Sequence, residues 1–498
     1  MRSIFFLLIF ASFSFVKAQP KAGTSIDQID HLISNNQFLE ALTIIEQSLA
    51  SNPDKNNFQL LNKKSEVLIG LGHVALADEV LNELEAQNMP DLDRAITLTS
   101  QGYLYMNKGR NDLAIEYLQR ANNEFIRINE QESKESARNL GLLGLTYLYS
   151  GKYKQAESFE LRSLQIRENI FGNKSETVAA AYNDMGLVYS QTNVDMALEY
   201  YDMAMASYEE IYGKEHPKIA IVNTNIGILY QGLELYGDAI NSFETSLEIW
   251  KKTYPEGHPN QAFVQRNLGQ TYNLMGDQKT AMEFFEIALL GYKHAYGNKH
   301  PDIASTLNQM GYLRLNQGNF DESIRFLQES LIANVPSFSK QEQSVNPSID
   351  EFYNGNVLLY SLHLKAKAFE AKYYEETIKL SDLLLSLNTL LLADSLIDKL
   401  RQSSVDESDK ISLGAIANEV YEDGVHVAVS VGENVLKPKR FREYAFYFAE
   451  KSKAAVLQAS IADADAKSFA GIPDDLLQEE KNLKADIAFH IQKLAQNS

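Results

Sequence analysis

The sequence predicts an all-α solenoid, because small residues recur along it at a nearly constant interval. Six glycines are separated by 42, 42, 41, 42 and 42 residues: Gly102, Gly144, Gly186, Gly227, Gly269 and Gly311. A second series is separated by 42, 41, 42, 42 and 42 residues: Ala114, Ala156, Ala197, Ala239, Ala281 and Ser323. Periods of about 20 to 50 residues are typical of repeat proteins, in which each unit packs on its neighbours.

One repeat reads as two amphipathic helices joined by a short polar turn. Residues 178–191 and 196–211 each place apolar side chains three and four positions apart, which is the spacing of a helix with one buried face. Residues 192–195 between them are mostly polar and contain residues that cap helices. Gly186 and Ala197 are small, so the two helices can approach closely, and each unit is therefore predicted to be a helical hairpin.

The connections between repeats share a second signature. A histidine precedes a proline at His216-Pro217, His258-Pro259 and His300-Pro301. Proline is favoured in the first turn of a helix, where its missing N–H is not needed. Since these histidines recur once per repeat, they are expected to lie too far apart to share a metal ion. We assign them a role in the turn.

These motifs resemble the tetratricopeptide repeat, in the long 42-residue form of kinesin light chains. The resemblance rests on Met-Gly-Leu-Val-Tyr at 185–189, Ile-Gly-Ile-Leu-Tyr at 226–230, Leu-Gly-Gln-Thr-Tyr at 268–272 and the three His-Pro turns. It implies a right-handed superhelix with a concave groove. We expect about eight repeats within 19–332.

The N-terminus has the features of a signal peptide, 1–18. Arg2 precedes a largely apolar run at 4–16, and Val16-Lys17-Ala18 fits a cleavage site. We expect export to a bacterial periplasm or the outside, with an uncleaved anchor as the alternative. No later segment is expected to insert stably into a membrane, because the nearest apolar run, 383–393, is interrupted by polar residues.

Composition and motifs argue against several functions. The net charge is −20, which disfavours binding to phosphate backbones and anionic lipid. The chain has no cysteine, so disulfides and acylation on cysteine are excluded. No motif for a phosphate loop, a serine nucleophile or a zinc hydrolase is found. We expect no catalytic residue, no cofactor and no metal ion, and no binding of nucleic acid.

After the repeats we expect a linker at 333–350, a repeat-like helical region at 351–436 and a helical segment at 437–498. Residues 448–457 and 469–474 resemble the segment that precedes the peptidase in bacterial CHAT-domain proteins. That family implies a caspase-like cysteine peptidase, yet without cysteine this chain has no thiolate nucleophile. The resemblance implies the sensing or regulatory arm of a peptidase whose catalytic domain is not in this chain.

Polar residues near the repeat glycines form the candidate binding site. Side-chain amides offer both a donor and an acceptor to an extended peptide backbone. The candidates lie two residues before, three residues before or one residue after the glycines: Asp184, Asn225, Asn267, Gln309, Asn183, Arg266, Asn308, Gln270 and Tyr312. The predicted function is an exported, non-catalytic scaffold that binds a peptide or partner protein in its groove. The peptidase arm is the alternative, and a sensory module with a downstream membrane helix is a third.

Overall fold

The computed structural model describes residues 26–34, 37–51, 57–71, 73–108, 110–403 and 407–453, and these ranges contain helices and no strand. The all-α solenoid predicted from the sequence is confirmed. The signal peptide, its cleavage site and residues 454–498, including 469–474, lie outside the described residues.

The first sixteen helices form eight consecutive pairs. They are α1 (Ile26–Ser34) with α2 (Phe38–Ser51), α3 (Phe58–Gly70) with α4 (Val74–Glu85), α5 (Asp91–Asn107) with α6 (Asn111–Arg127), α7 (Lys134–Tyr149) with α8 (Tyr153–Phe171), α9 (Glu176–Tyr189) with α10 (Val194–Tyr212), α11 (Pro217–Gly232) with α12 (Tyr236–Thr253), α13 (Pro259–Leu274) with α14 (Gln278–Tyr296), and α15 (Pro301–Asn316) with α16 (Phe320–Asn334). They are followed by α17 (Gly355–Lys372), a π-helix (Tyr373–Thr377), α18 (Leu380–Ser403), α19 (Glu407–Glu433) and α20 (439–453).

The repeat glycines lie where the two helices of a pair cross most closely. A Cβ atom on Gly227 would lie 2.6 Å from Cε1 of Phe243, and one on Gly311 would lie 2.8 Å from Cγ of Leu327. The residues that fill the corresponding space opposite the six glycines are Leu118, Glu160, Tyr201, Phe243, Phe285 and Leu327. The predicted close crossings are confirmed, and the side chain opposite the glycine fills the gap.

The odd-numbered helices of successive pairs lie next to one another, on the side where the repeat resemblance places the concave groove. α3 contacts α5, α5 contacts α7, α7 contacts α9, α11 contacts α13, and α13 contacts α15. Among the described residues, successive even-numbered helices make no contact of comparable extent. We call the solvent-facing side of α7, α9, α11, α13 and α15 the inner face.

The His-Pro junctions are helix N-caps, which confirms the turn role of these histidines. Nδ1 of His216, His258 and His300 accepts a hydrogen bond from the backbone N–H two residues later, at 3.3, 3.1 and 3.2 Å. Each imidazole stacks on an aromatic ring of the preceding helix, at a centroid distance of 4.0 Å for Tyr212 and His216. Burial lowers the pKa of all three histidines, for His258 to about 4. These caps therefore use the neutral imidazole, whose Nδ1 can accept a hydrogen bond.

The segment 335–354 follows the last pair and contains no helix. Its backbone carbonyls accept hydrogen bonds from lysines on three different helices or their flanking turns. Nζ of Lys299 lies 2.8, 2.6 and 2.7 Å from the carbonyl oxygens of residues 335, 336 and 338. Lys399 donates to the carbonyls of 349 and 350, and Lys365 to the carbonyl of 345. The segment is thus fixed from outside by long cationic side chains.

Lys365 is the most deeply buried of these lysines. It is fully inaccessible, and its Nζ donates to Oε1 of Gln328 at 2.6 Å and to Oδ1 of Asn346 at 2.8 Å. All of its partners are neutral, so burial lowers its pKa to about 7.

A π-helix, Tyr373–Thr377, lies between α17 and α18. Ile378, at φ 52° and ψ 24°, separates this π-helix from α18. The expectation that no further segment is apolar enough to cross a membrane was wrong. Among the described residues, the helix Leu380–Arg401 is long enough and apolar enough to cross a membrane, judged by its length and composition. Its apolar side chains instead enter a core shared with α17 and α19: Leu383, Leu387, Leu390, Ala393, Leu396 and Ile397.

Candidate functional site

The amides of Asn183 and Asn225 form a link between adjacent repeats on the inner face. Nδ2 of Asn225 on α11 donates to Oδ1 of Asn183 on α9 at 2.8 Å. Nδ2 of Asn183 approaches a carboxylate oxygen of Asp184 at 3.4 Å. All three side chains are half-buried, so each remains in contact with solvent. This part of the predicted series lies on the inner face as one hydrogen-bonded row.

Asn267 and Arg266 on α13 are engaged within the protein. Asn267 is buried, and its Nδ2 donates at 2.8 Å to the carbonyl of Phe263, one turn earlier in the same helix. The guanidinium of Arg266 lies 3.3 Å from a carboxylate oxygen of Asp302 on α15 and 5.8 Å from the ring centre of Tyr292. Asn267 therefore differs from the expectation of an open amide, because its helix supplies an acceptor.

Asn308 also differs from the expectation of a groove-facing residue. It is buried, and its Nδ2 donates to the carbonyl of Val357 at 3.3 Å, because α17 packs on α15 after the last pair. Gln309 and Gln270 are half-buried, and the ring of Tyr312 is 37% exposed. The candidate residues that reach solvent on the inner face at α13 and α15 are therefore Gln270, Gln309 and Tyr312.

A cleft opens between α9 and α11 beside Asn225. Its volume is about 240 Å³. Leu187 and Ile228, each one residue after a repeat glycine, line it together with Asn225 and the ring of Tyr201. Ile228 is 38% exposed, so an apolar side chain faces solvent at the centre of the repeats. The cleft combines apolar walls with the side-chain amides of Asn225 and Gln191, a pattern typical of ligand-binding sites.

Next to this cleft, one repeat buries a carboxyl group. Glu160 on α8 occupies the position opposite Gly144 where the other repeats carry leucine, tyrosine or phenylalanine. The side chain is fully inaccessible, and neither carboxyl oxygen has a hydrogen-bond partner among the described residues. The guanidinium of Arg167 lies close by, and its Nη1 donates to the carbonyl of Thr177 at 3.1 Å.

The electrostatics of this pair of carboxyl groups follow from burial. Burial raises the pKa of Glu160 well above its usual range, the charge of Asp184 raises it further, and Arg167 lowers it. Burial also raises the pKa of Asp184, opposed by Arg167, by the hydrogen bond from Asn183 and by Lys218. Two carboxyl groups thus share one nearby guanidinium in a site of low polarity.

Sequence reasoning missed Glu160, Arg167 and the apolar cleft. The signal for Glu160 was present, because it lies 16 residues after Gly144, as Leu118 lies 16 after Gly102. Aligning the repeats on their glycines at this second position would have shown one carboxyl among apolar side chains. The signal for the cleft was that Leu187 and Ile228 directly follow their repeat glycines, at the same offset as the predicted candidates Gln270 and Tyr312.

Comparison with known proteins supports the repeat assignment. A model of the tetratricopeptide repeat family matches residues 93–169, 177–252 and 218–289. A clustered mitochondria protein homolog from Aspergillus niger is 27% identical over 108 residues, which cover 22% of this chain and 9% of that relative. The chain therefore spans under a tenth of the length of this curated relative.

Solved structures show similarity at low sequence identity. BtubC (BKLC) from P. vanneervenii is 18% identical, with 46% of this chain and 93% of that chain covered and a TM-score of 0.35. A Rap protein complexed with competence and sporulation factor is 14% identical, with 80% and 98% covered and a TM-score of 0.47. The matches at 93–169 and 177–289, together with the glycine-spaced helical pairs that contain them, show that this part of the chain consists of tetratricopeptide repeats.

Proposed function

We propose that this chain is a binding scaffold that holds a peptide, or an extended segment of a partner protein, along its inner face. The observation that carries the proposal is the cleft between α9 and α11, where Asn225 lies beside the exposed side chain of Ile228. An amide at this position can donate to and accept from a peptide backbone, and the cleft can take an apolar side chain.

Apolar side chains extend this surface along several repeats. On the inner helices Tyr149 is 59% exposed, Leu274 is 50% exposed and Tyr312 is 37% exposed. Together with Ile228 they cover helices α7, α11, α13 and α15. Exposed apolar and aromatic side chains that recur along one face are characteristic of interaction surfaces, since their burial on binding is favourable.

The proposal includes export and the lack of a catalytic role for the repeats. Export is inferred from the charged start, apolar run and cleavage pattern of 1–18. A second candidate, the regulatory arm of a CHAT peptidase, is supported by the sequence of 448–457. Sequencing the gene downstream tests it: a following frame with histidine and cysteine motifs supports the arm, and a frame without them contradicts it.

A peptide array tests the binding proposal. The mature chain is applied to capped octapeptides, and the affinity for the strongest binders is measured for the parent, for Asn225→Ala with Ile228→Ala, and for Leu290→Ala. Leu290 is exposed on α14, an even-numbered helix, and serves as the matched control. Losing one hydrogen-bonding group and part of an apolar wall should weaken binding about tenfold or more.

The outcome is read against helicity. The double variant should keep the far-UV circular dichroism of the parent, because both side chains reach solvent and neither fills the core. Leu290→Ala should bind like the parent. Equal affinity of the double variant and the parent would contradict the inner-face proposal, as would an array with no binders.

A further inference from the structure

We propose that the inner face at α7, α8 and α9 contains a subsite for a cationic side chain, a lysine or arginine of the bound segment. Asp184 is its solvent-accessible acceptor, and Glu160, which is inaccessible in the unbound protein, is a second, buried acceptor close to it. This inference rests on the proposed function and specifies the chemistry of the partner. It concerns a carboxyl pair that the repeat architecture does not require.

The first step in the argument is that Glu160 is not needed for packing. At the same place in other repeats Leu118 and Leu327 fill the space against a glycine, and they leave no polar atom to satisfy. Burying a carboxyl group without a hydrogen bond is strongly unfavourable. Buried polar atoms in folded proteins are nearly always paired, so two unpaired oxygens indicate a missing partner.

The second step is that Arg167 does not supply this partner. Its guanidinium fills the space above Gly141, where a Cβ atom would lie 3.0 Å from Nη2, and its Nη1 is bonded to the carbonyl of Thr177. The same Cβ position lies 3.7 Å from Oε2 of Glu160, so the two groups are close, yet neither Glu160 oxygen is hydrogen-bonded. Burial without a partner favours the protonated form of Glu160, and a cation that entered the site would favour its ionised form, so cation binding and ionisation of Glu160 are coupled.

The third step is that the site adjoins the inner face. Asp184 is half-buried and belongs to the row with Asn183 and Asn225. Tyr149, at the end of α7, is exposed and lies near both carboxyl groups, because burial and then the charges of Asp184 and Glu160 raise the pKa of its hydroxyl. A lysine or arginine that enters beside Asp184 meets a carboxylate and the ring of Tyr149, both of which are favourable neighbours of a cation.

The fourth step is charge complementarity over a longer range. The chain carries a net charge of −20, so a basic segment is attracted to it. The apolar cleft beside Asn225 lies one repeat further along the face. The subsite and the cleft together favour a segment that carries a basic residue followed by an apolar one.

The experiment compares three octapeptide libraries on the full mature chain. The libraries are capped and randomised, except that one central position is fixed as lysine, as arginine or as norleucine, which has the length of lysine without its charge. The proteins are the parent, Glu160→Gln, Glu160→Leu and the control Asp202→Asn, whose carboxyl is exposed on the even-numbered helix α10. Binding is measured by library pull-down and quantitation, and thermal unfolding is measured on the same samples.

In the parent we expect the lysine and arginine libraries to bind about tenfold better than the norleucine library, which is the size of one buried charge pair. Glu160→Gln and Glu160→Leu should reduce this preference to within about twofold, and Asp202→Asn should retain it. Glu160→Leu should also unfold at a higher temperature than the parent, so a loss of preference in it cannot come from misfolding.

Two results overturn the inference while leaving the proposed function intact. One is equal binding of all three libraries by the parent, and the other is a preference for lysine that persists in Glu160→Leu. Binding of none of the libraries would contradict the proposed function together with the subsite.

Discussion

The substitution Gly227→Ala tests the close crossing on which the repeat depends. A methyl group on Gly227 would lie 2.6, 2.7 and 3.0 Å from three ring carbons of Phe243. These distances are well inside van der Waals contact, and the ring is fully buried in the central core, so it has little room to move. Either the helices of this pair must separate or the ring must leave its preferred position.

The magnitude follows from two opposed effects. Overpacking of a filled core costs about 1 to 3 kcal/mol. Replacing glycine by alanine inside a helix recovers about 1 kcal/mol of intrinsic helix propensity. The net expectation is a loss of about 0 to 2 kcal/mol of unfolding free energy, confined to the pair α11 and α12 and its neighbours.

Gly232 in the same helix supplies the matched control. No atom lies within 4 Å of the position that its Cβ would take. Gly232→Ala should therefore be neutral or stabilising by up to about 1 kcal/mol. In a Phe243→Ala background the Gly227→Ala penalty should vanish, because the obstructing ring is absent; a double-mutant cycle measures this coupling.

The assay is hydrogen exchange of the peptides covering 217–253 in the full chain, together with urea unfolding followed by circular dichroism. Gly227→Ala should lose protection in this region, whereas Gly232→Ala should keep or gain it. If Gly227→Ala were as stable as Gly232→Ala, the close crossing would not be what holds the pair in register.

Three further predictions concern pH, and each is measured as the urea midpoint across a pH series. Because the pKa of Glu160 is raised in the folded state, the contribution of its carboxyl to the free energy of unfolding is complete below about pH 4.5 and is lost as the pH rises. The stability advantage of Glu160→Leu over the parent should therefore grow from pH 4.5 to 7. A difference that stays constant with pH would refute this. The pKa of Lys365, lowered to about 7, means that the parent should gain stability between pH 7 and 10 as the unfolded chain alone stays protonated, and Lys365→Met should lack this gain. The pKa of His258, lowered to about 4, means that stability is full above pH 6.5 and is lost as pH falls toward 4; His258→Asn, which keeps a capping acceptor that does not titrate, should lose less.

The repeat architecture could be predicted from the sequence because the same spacing of small residues recurs over six repeats. Gly227 and its counterparts mark the crossings, and the His-Pro pairs mark the helix starts, so spacing alone locates both helices of each pair. Such patterns depend on contacts within a repeat or between adjacent repeats, which a linear period records.

The state of the candidate residues depended on packing that no period encodes. Asn308 follows the same register as Asn183, yet it is covered because α17 lies on α15 at the end of the array. Asn267 matches Asn225 in the pattern but bonds to its own helix. Lys365 gave no sign of burial, since a lysine in an amphipathic helix ordinarily faces water.

The three lysines that bind the carbonyls of 335–354 influence which parts of this sequence can change during evolution. Because Lys299 and Lys399 donate to main-chain oxygen atoms, which every amino acid possesses, much of the path of the segment is specified by residues outside it, whereas Lys365 also binds the side chain of Asn346 within it. The exposed side chains within 335–354 can therefore change in evolution, whereas Phe338 and Phe352 are constrained because they pack into the core. Relatives of this chain are expected to keep the anchoring cations and to differ most in the loop that they anchor.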